Sequence, residues 1–358
     1  MKHLFKKRFL MPKVVGILAF VLMGVAINSH AEVTVPYTFT PGTTARANEV
    51  NANFQALAEA INSVTPAQRV VVAAGGGDYT SISDALNAIS PDANNPYVID
   101  VMPGTYTENI IMKSYVHLRG AGREVTTVVA SNPEDDVIFI NDLTNVAISG
   151  LKIKGGHYGI SNYSSSPTIN GNMIRENGAG IYNHSSEPTI YGNTIKKNYN
   201  YGISNDTLSS PMIIGNIIIE NGNYGIRNSG SSSPIITSNM IIDNSVGGIS
   251  NEFSDPMISG NTIRGNDGKG INNKQSSPII NGNTITGNDN YGIHNEVTSS
   301  PMIIHNRITE NGGVSFEDIY VSNDSKPHIS FNVYDDISAT TVVGMYNVNS
   351  NGEAIIMP

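Results

Sequence analysis

Between about residue 70 and residue 335 the apolar residues come in bursts of two to four, broken by Gly, Asn and Ser. A helical repeat needs an apolar period of 3.6 residues held over ten or more positions, and these bursts do not keep one. The apolar residues are mostly β-branched, and the breaks are turn formers. The pattern predicts short strands joined by tight turns.

The bursts recur at a fixed spacing. Aligned on Pro167, Pro188, Pro211, Pro234, Pro256, Pro278, Pro301 and Pro327, the chain advances by 21, 23, 23, 22, 22, 23 and 26 residues. Ile stands two residues after every one of these prolines, from Ile169 to Ile329, and Asn stands five after, from Asn172 to Asn332. Seven after is Ile, from Ile174 to Ile308, with Tyr334 closing the series. A second motif, Gly-Ile-x-Asn, begins at Gly159, Gly180, Gly202, Gly225, Gly248, Gly270 and Gly292. A unit of about 22 residues has room for three short strands and three turns, and the Leu framework of a leucine-rich repeat is absent. The predicted fold is all-β, a parallel β-helix in which each unit is one coil stacked on the last.

Stacking gives each fixed residue a reason. Coils lie about 4.8 Å apart, so equivalent residues sit above one another. The Ile positions face inward. Asn172, Asn193, Asn216, Asn239, Asn261, Asn283 and Asn306 tolerate a left-handed corner and form a structural amide ladder from coil to coil. Gly171, Gly192, Gly215, Gly260 and Gly282 tighten that corner. Proline, lacking an N–H, belongs where a strand begins.

The repeat Pro-x-Ile-x-Gly-Asn-x-Ile-x-x-Asn followed by Gly-Ile-x-Asn resembles the right-handed parallel β-helix repeats of the pectate-lyase-like superfamily, over about residues 70 to 335. The stretch from Ala74 to Ile89 and the segment after it resemble the N-terminal coil of pectin methylesterases. That resemblance implies a pair of Asp, an Arg and Gln residues in the central coils. The central coils here are Asn-rich repeats without that set, so the esterase activity does not carry over. Ser81 or Ser83 is placed to cap a short helix carrying Ile82, Leu86 and Ile89, which would cover the open end of the β-helix.

The same pattern sets the domain boundaries. Residues 1–31 read as a signal peptide: five basic residues, the 14-residue apolar run Val14–Ile27 and cleavage after Ala31, too short a run for a comfortable membrane span. Residues 32–69 form an N-terminal segment. In it Ala47, Val50, Phe54, Leu57 and Ile61 make a helical stripe over residues 47–61, read first as a helix packed on the β-helix end and alternatively as an oligomerisation helix. Residues 70–358 are the β-helix: a capping coil (70–130), regular repeats (159–335) and a C-terminal cap (336–358), with ten or eleven coils in all. The expected location is secreted or periplasmic.

Charge narrows the partners. Without residues 1–31 the chain carries 16 basic and 30 acidic side chains, a balance of −14. That disfavours nucleic acid and anionic membranes. There is no cysteine, which excludes disulfides and thiolate metal sites. No metal site is expected.

Chemistry is expected on the outward face of the Gly-Ile-x-Asn strands, where side chains alternate in and out. With Ile inward, the x position gives a stripe of Ser161, Tyr182, Ser204, Arg227, Ser250, Asn272 and His294. The residue after Asn gives Tyr163, His184, Asp206, Ser229, Glu252, Lys274 and Glu296. Candidate binding residues are Tyr182, His184, Ser204, Arg227, Asn272 and His294. The catalytic candidates are Asp206 and Glu252 as acid and base or cation ligands, with Arg227 for a sugar carboxylate. The bland alternative is an exposed charge ladder that keeps a β surface soluble. The favoured function is non-catalytic binding of carbohydrate or a cell-surface polymer, with no cofactor. The alternative is a polysaccharide lyase, hydrolase or epimerase, for which calcium would be the cofactor to test. An accessory role like that of periplasmic β-helix proteins of copper enzymes is poorly supported by scattered His and Met.

Overall fold

A computed structural model describes residues 67–313, 317–322, 324–334, 337–338 and 347. The expected signal peptide, the 47–61 helix and nearly all of the C-terminal cap lie outside these residues. The described residues belong to the second of two units along the chain, Pro66–Pro358.

The second unit is a parallel β-helix of three sheets, with 12, 11 and 11 strands among the described residues. Each coil gives one strand to each sheet. The Pro-x-Ile strands, such as Met212–Ile214, form the first sheet, and the strands after the ladder Asn, such as Ile217–Ile219, form the second. The Gly-Ile-x-Asn strands, such as Tyr224–Ser229, form the third. Pairing is parallel and in register, so Ile190, Ile213, Ile236 and Ile258 align directly. The Ile columns of all three sheets are fully buried and continuous along the body. Each fully buried Ile contributes about 1.5–3 kcal/mol before entropy.

The polar interior is equally regular. The predicted ladder runs from Asn172 through Asn193, Asn216, Asn239, Asn261, Asn283 and Asn306, and on to Asn332 and Asn347. Each Nδ2 donates to the Oδ1 of the next coil. Two further ladders run beside it. One links Asn177 through Asn198, Asn221, Asn244, Asn266 and Asn288 to Asn311, and ends on the carboxylate of Asp318. The other joins the Asn of each Gly-Ile-x-Asn, from Asn162 to Asn295, and ends on the Tyr320 carbonyl. A serine column, including Ser165, Ser186 and Ser209, accepts backbone N–H groups at the remaining corner. The corners therefore satisfy the backbone groups that three flat sheets cannot.

Two kinds of glycine answer to different constraints. Corner glycines such as Gly215 have φ near +60°, with open space where a Cβ would go. The glycine of Gly-Ile-x-Asn is required by crowding: a Cβ on Gly180 would stand 2.4 Å from the Gly202 carbonyl oxygen and 2.6 Å from Ile195 Cγ2.

Helix α1 (Ile82–Ala88) lies at the start of the body, with Ser81 as its N-cap accepting from the Asp84 N–H. Glu108 adds acceptors for the Ile82 and Ser83 N–H groups. Ile82, Leu86 and Ile89 are buried in the core as expected.

Candidate functional site

The outward column of the third sheet holds Ser161, Tyr182, Ser204, Arg227, Ser250, Asn272 and His294 in unbroken register. Phe139 and Tyr320 extend it at either end. The column does point away from the Ile core, yet Ser161, Ser204, Asn272 and His294 are buried. Tyr182, Arg227 and Ser250 are partly exposed, so the face is a relief rather than a uniform stripe.

Two aromatic stations stand on this face. Toward the N-terminal end Tyr158 stacks on Tyr182, with centroids 4.7 Å apart and planes 12° apart. Tyr163 leans on Phe139, Tyr182 and His184 at centroid distances of 5.7 Å. Asp136 anchors the group: its carboxylate accepts from the Tyr158 N–H and the Ser161 hydroxyl, and His157 Nδ1 lies 3.6 Å away. Beside it opens a cavity of about 450 Å3, lined by residues including Glu134, Asp136, Phe139 and His157. Burial, reinforced by the Asp206 charge, pushes the Tyr182 phenol up to about 12. It therefore remains an O–H donor at neutral pH.

Toward the C-terminal end His294, Tyr291 and Tyr320 form a triangle of rings, with His294 at centroid distances of 4.9 and 4.8 Å from the two tyrosines and the tyrosines 4.9 Å apart. The His294 Nδ1 is 2.9 Å from Asn272 Oδ1, which also accepts from Lys269 Nζ at 3.1 Å. An amide oxygen can only accept, so Nδ1 carries the proton and Nε2 is left as an acceptor. Burial, with the nearby Lys269 charge, lowers the imidazole to about 4, and burial also lowers the Lys269 ammonium.

The catalytic candidates are dispersed among other partners. Asp206 accepts from the Thr207 N–H at 2.9 Å and the Ser229 hydroxyl at 3.0 Å, with the Tyr182 hydroxyl at 3.5 Å. Glu252 pairs with Lys274 at 2.8 Å. The Arg227 guanidinium lies over the Tyr201 ring, 5.6 Å from its centroid. Among the described ion pairs none joins Arg227 to either carboxylate. His184 sits on the second column, with its ring 6.4 Å from Tyr182. Among the described residues no three His, Asp or Glu side chains come together as a metal-binding group.

Sequence reasoning missed Phe139, Asp136, Tyr158, Lys269, Tyr291 and Tyr320. A signal for part of this was present. Tyr immediately precedes Gly-Ile in four of the seven motifs, at Tyr158, Tyr201, Tyr224 and Tyr291.

Three family models match. One described as a right handed beta helix region covers residues 136–278, one described as pectinesterase covers 68–172, and one described as a periplasmic copper-binding protein (NosD) covers 248–344. The chain has no cysteine, and among the described residues no group of three His, Asp or Glu side chains comes together, so no copper site is assigned. Curated relatives include a pectinesterase of Daucus carota, 38% identical over 92 residues, which are 24% of this chain and 28% of that protein. A pectinesterase/pectinesterase inhibitor U1 of Solanum lycopersicum is 32% identical over 93 residues, 25% of this chain and 16% of that one. The chain thus spans about a quarter or less of the length of these relatives.

Among solved structures, the A-module of the Azotobacter vinelandii mannuronan C-5 epimerase AlgE6 aligns with a TM-score of 0.55 at 16% identity, over 77% of this chain and 93% of that module. The pectate lyase Pel9A aligns at 0.54 and 16% identity, over 80% and 81%. The Dettilon tailspike protein aligns at 0.51 and 15% identity, over 87% and 72%. At these identities the likeness establishes the fold. Together with the in-register Ile and Asn columns and the match to a right handed beta helix region, it establishes the fold of the chain as a right-handed parallel β-helix.

Proposed function

We propose that the outward face of the Gly-Ile-x-Asn sheet binds a polysaccharide or cell-surface glycan without cleaving it. The observation that carries this is the pair of aromatic stations on one rigid column. Tyr182 and His294 are five coils apart, about 24 Å, a span suited to several sugars of an extended chain. Rings offer flat apolar faces for sugar C–H surfaces, and hydroxyl, amide and carboxylate groups beside them suit sugar hydroxyls. Ser204, Arg227 and Asn272 lie between the stations. The pectinesterase match and the polysaccharide-active names among the structural neighbours support a carbohydrate partner. The same reading places the protein outside the cytoplasm, in the periplasm or beyond, which the match to a periplasmic family supports. No helix among the described residues is long and apolar enough to cross a membrane.

One observation favours a second reading, an epimerase, lyase or hydrolase. His294, held uncharged with Nδ1 on Asn272 and with Lys269 on the same amide oxygen, leaves Nε2 as a proton acceptor for a substrate. In that reading calcium would assist by neutralising a uronate, and Asp206, Arg227 and Glu252 would serve only after rearranging their present partners.

The test uses the full chain against neutral and acidic polysaccharides, with and without calcium, reading binding by calorimetry and products as reducing ends and unsaturated uronates. Binding without products, weakened at least tenfold by Tyr182→Ala with Tyr320→Ala, supports the binding face. Products abolished by His294→Ala would replace it with the enzyme. No binding to any polymer would refute both.

A further inference from the structure

A different face carries a second surface. On the first sheet Met212, Ile235, Met257, Ile279 and Met302 form one outward column in register. Ile235, Met257, Ile279 and Met302 are between 37% and 43% exposed. Thr189 precedes the column and His328 follows it, so the apolar run has polar ends. An exposed apolar patch rimmed by polar residues marks an interaction surface.

The order of residues points to the occupant. Met-Ile-Met-Ile-Met reads the same in both directions about Met257. The parallel outward column two residues on does so in character: Ile214, Thr237, Ser259, Asn281 and Ile304. The residue before each Pro continues the symmetry, with Glu187 three coils before Asp255 and Lys326 three coils after it. A two-fold axis along the strand direction through the Met257 coil places two such faces together with the rods antiparallel. Met212 then meets Met302 of a second copy, Ile235 meets Ile279, and Glu187 meets Lys326 at both ends. That is the self-complementarity an isologous interface requires.

We propose that this face is the interface of an antiparallel homodimer. Seven coils span about 29 Å and five residues across span about 14 Å, so each copy covers roughly 400 Å2 in projection. Two copies together cover roughly 800 Å2, below the range of stable specific interfaces, so the dimer is a weak one that forms only at micromolar or higher concentration. Asp255 falls next to its own symmetry mate, which weakens association at neutral pH and predicts that Asp255→Asn strengthens it.

The absence of cysteine makes the test direct. Met257→Cys places the chain's single thiol on the axis, and Tyr199→Cys places it on a side chain that is 78% exposed elsewhere. With a short bis-maleimide, Met257→Cys should give covalent dimer at least tenfold faster than Tyr199→Cys. Sedimentation of the full chain from 1 to about 200 µM should show a dimer that Ile235→Lys with Ile279→Lys converts to monomer, circular dichroism being unchanged. If that pair misfolds, the cross-linking rates decide alone. Monomer throughout the range overturns the proposal. So does a dimer whose Met257→Cys reacts no faster than the control, since its interface would then lie elsewhere.

Discussion

Replacing Asn239 by Ala tests whether the amide ladder supports the fold or merely accompanies it. Asn239 is fully buried and makes five side-chain hydrogen bonds. Its Oδ1 accepts from the Asn216 backbone N–H at 2.9 Å and from Asn216 Nδ2 at 3.0 Å. Its Nδ2 donates to the carbonyls of Ile213 at 2.9 Å and Thr237 at 3.0 Å, and to Asn261 Oδ1 at 3.0 Å. Asn216 Nδ2 keeps two other acceptors, and Asn261 Oδ1 keeps the Asn239 N–H. The backbone N–H of Asn216 is left facing the void. A net hydrogen bond contributes about 1 kcal/mol and an orphaned buried donor costs about 1–3 kcal/mol, so with partial relaxation the loss is roughly 3–5 kcal/mol. Asn223→Ala is the comparison: its side chain donates to Asn200 at 2.9 Å and accepts the Tyr224 N–H at 2.9 Å near the surface, where water can replace both, so its removal should cost no more than about 1 kcal/mol. Urea unfolding measures both, and hydrogen exchange at the Asn216 amide localises the opening. A loss below about 1 kcal/mol for Asn239→Ala would refute the reasoning, because it would mean that water replaces the rung at little cost.

Other consequences are as specific. Ser238 occupies a corner that is glycine in neighbouring coils, with φ at 57°, so Ser238→Gly should stabilise by about 0.5–1 kcal/mol, read from the urea midpoint. Gly180→Ala pushes a Cβ against the Gly202 carbonyl at 2.4 Å, so it should lose several kcal/mol or fail to fold, as limited proteolysis would show. Ile236→Asp buries an unpaired carboxyl in the middle coils and should unfold them; circular dichroism like that of the unchanged protein would contradict the inward assignment. His294, lowered to about 4 in the fold, takes up its proton more readily when unfolded. Its contribution is therefore complete above the ordinary imidazole value of about 6.5 and is lost as pH falls toward 4, a slope that His294→Asn should flatten in urea titrations at successive pH values.

The interior of this protein was legible because stacking makes it repeat. Every coil presents the same Ile and Asn to its neighbours, so the register of Asn172 to Asn306 could be read from spacing alone. The second and third ladders lay in the same motif, but an Asn at a corner, as in the second, reads as a turn former, and one inside a strand, as in the third, shows no partner until the neighbouring coil is in place. The candidate site was less legible. Ser161 and Ser204 lie in the register read for the outward column, but both are buried, which spacing alone does not reveal. Arg227 is one coil from Asp206 in the register, but its guanidinium goes to Tyr201. Spacing fixes which face a residue occupies and not which neighbour its long side chain selects.

This difference comes from the architecture. A position that faces inward is constrained by two identical neighbours, above and below, and drifts little from coil to coil. A position that faces out is free of that constraint, so any departure from monotony there has another cause. The Tyr-Gly-Ile tyrosines, the Lys269–Asn272–His294 group and the Met257-centred column are such departures. They fall on two separate faces, the third sheet and the first. A glycan on one face therefore leaves the other open to a second copy, and an antiparallel pair would carry its two glycan faces away from the shared sheet. Each copy's aromatic stations would then be reversed in direction relative to its partner's. Two chains of one polymer network, running in opposite senses, could be held by one dimer, so a dimer-breaking Ile235→Lys with Ile279→Lys should leave the affinity for a short oligosaccharide unchanged and reduce retention on the insoluble polymer, where two linked sites act together.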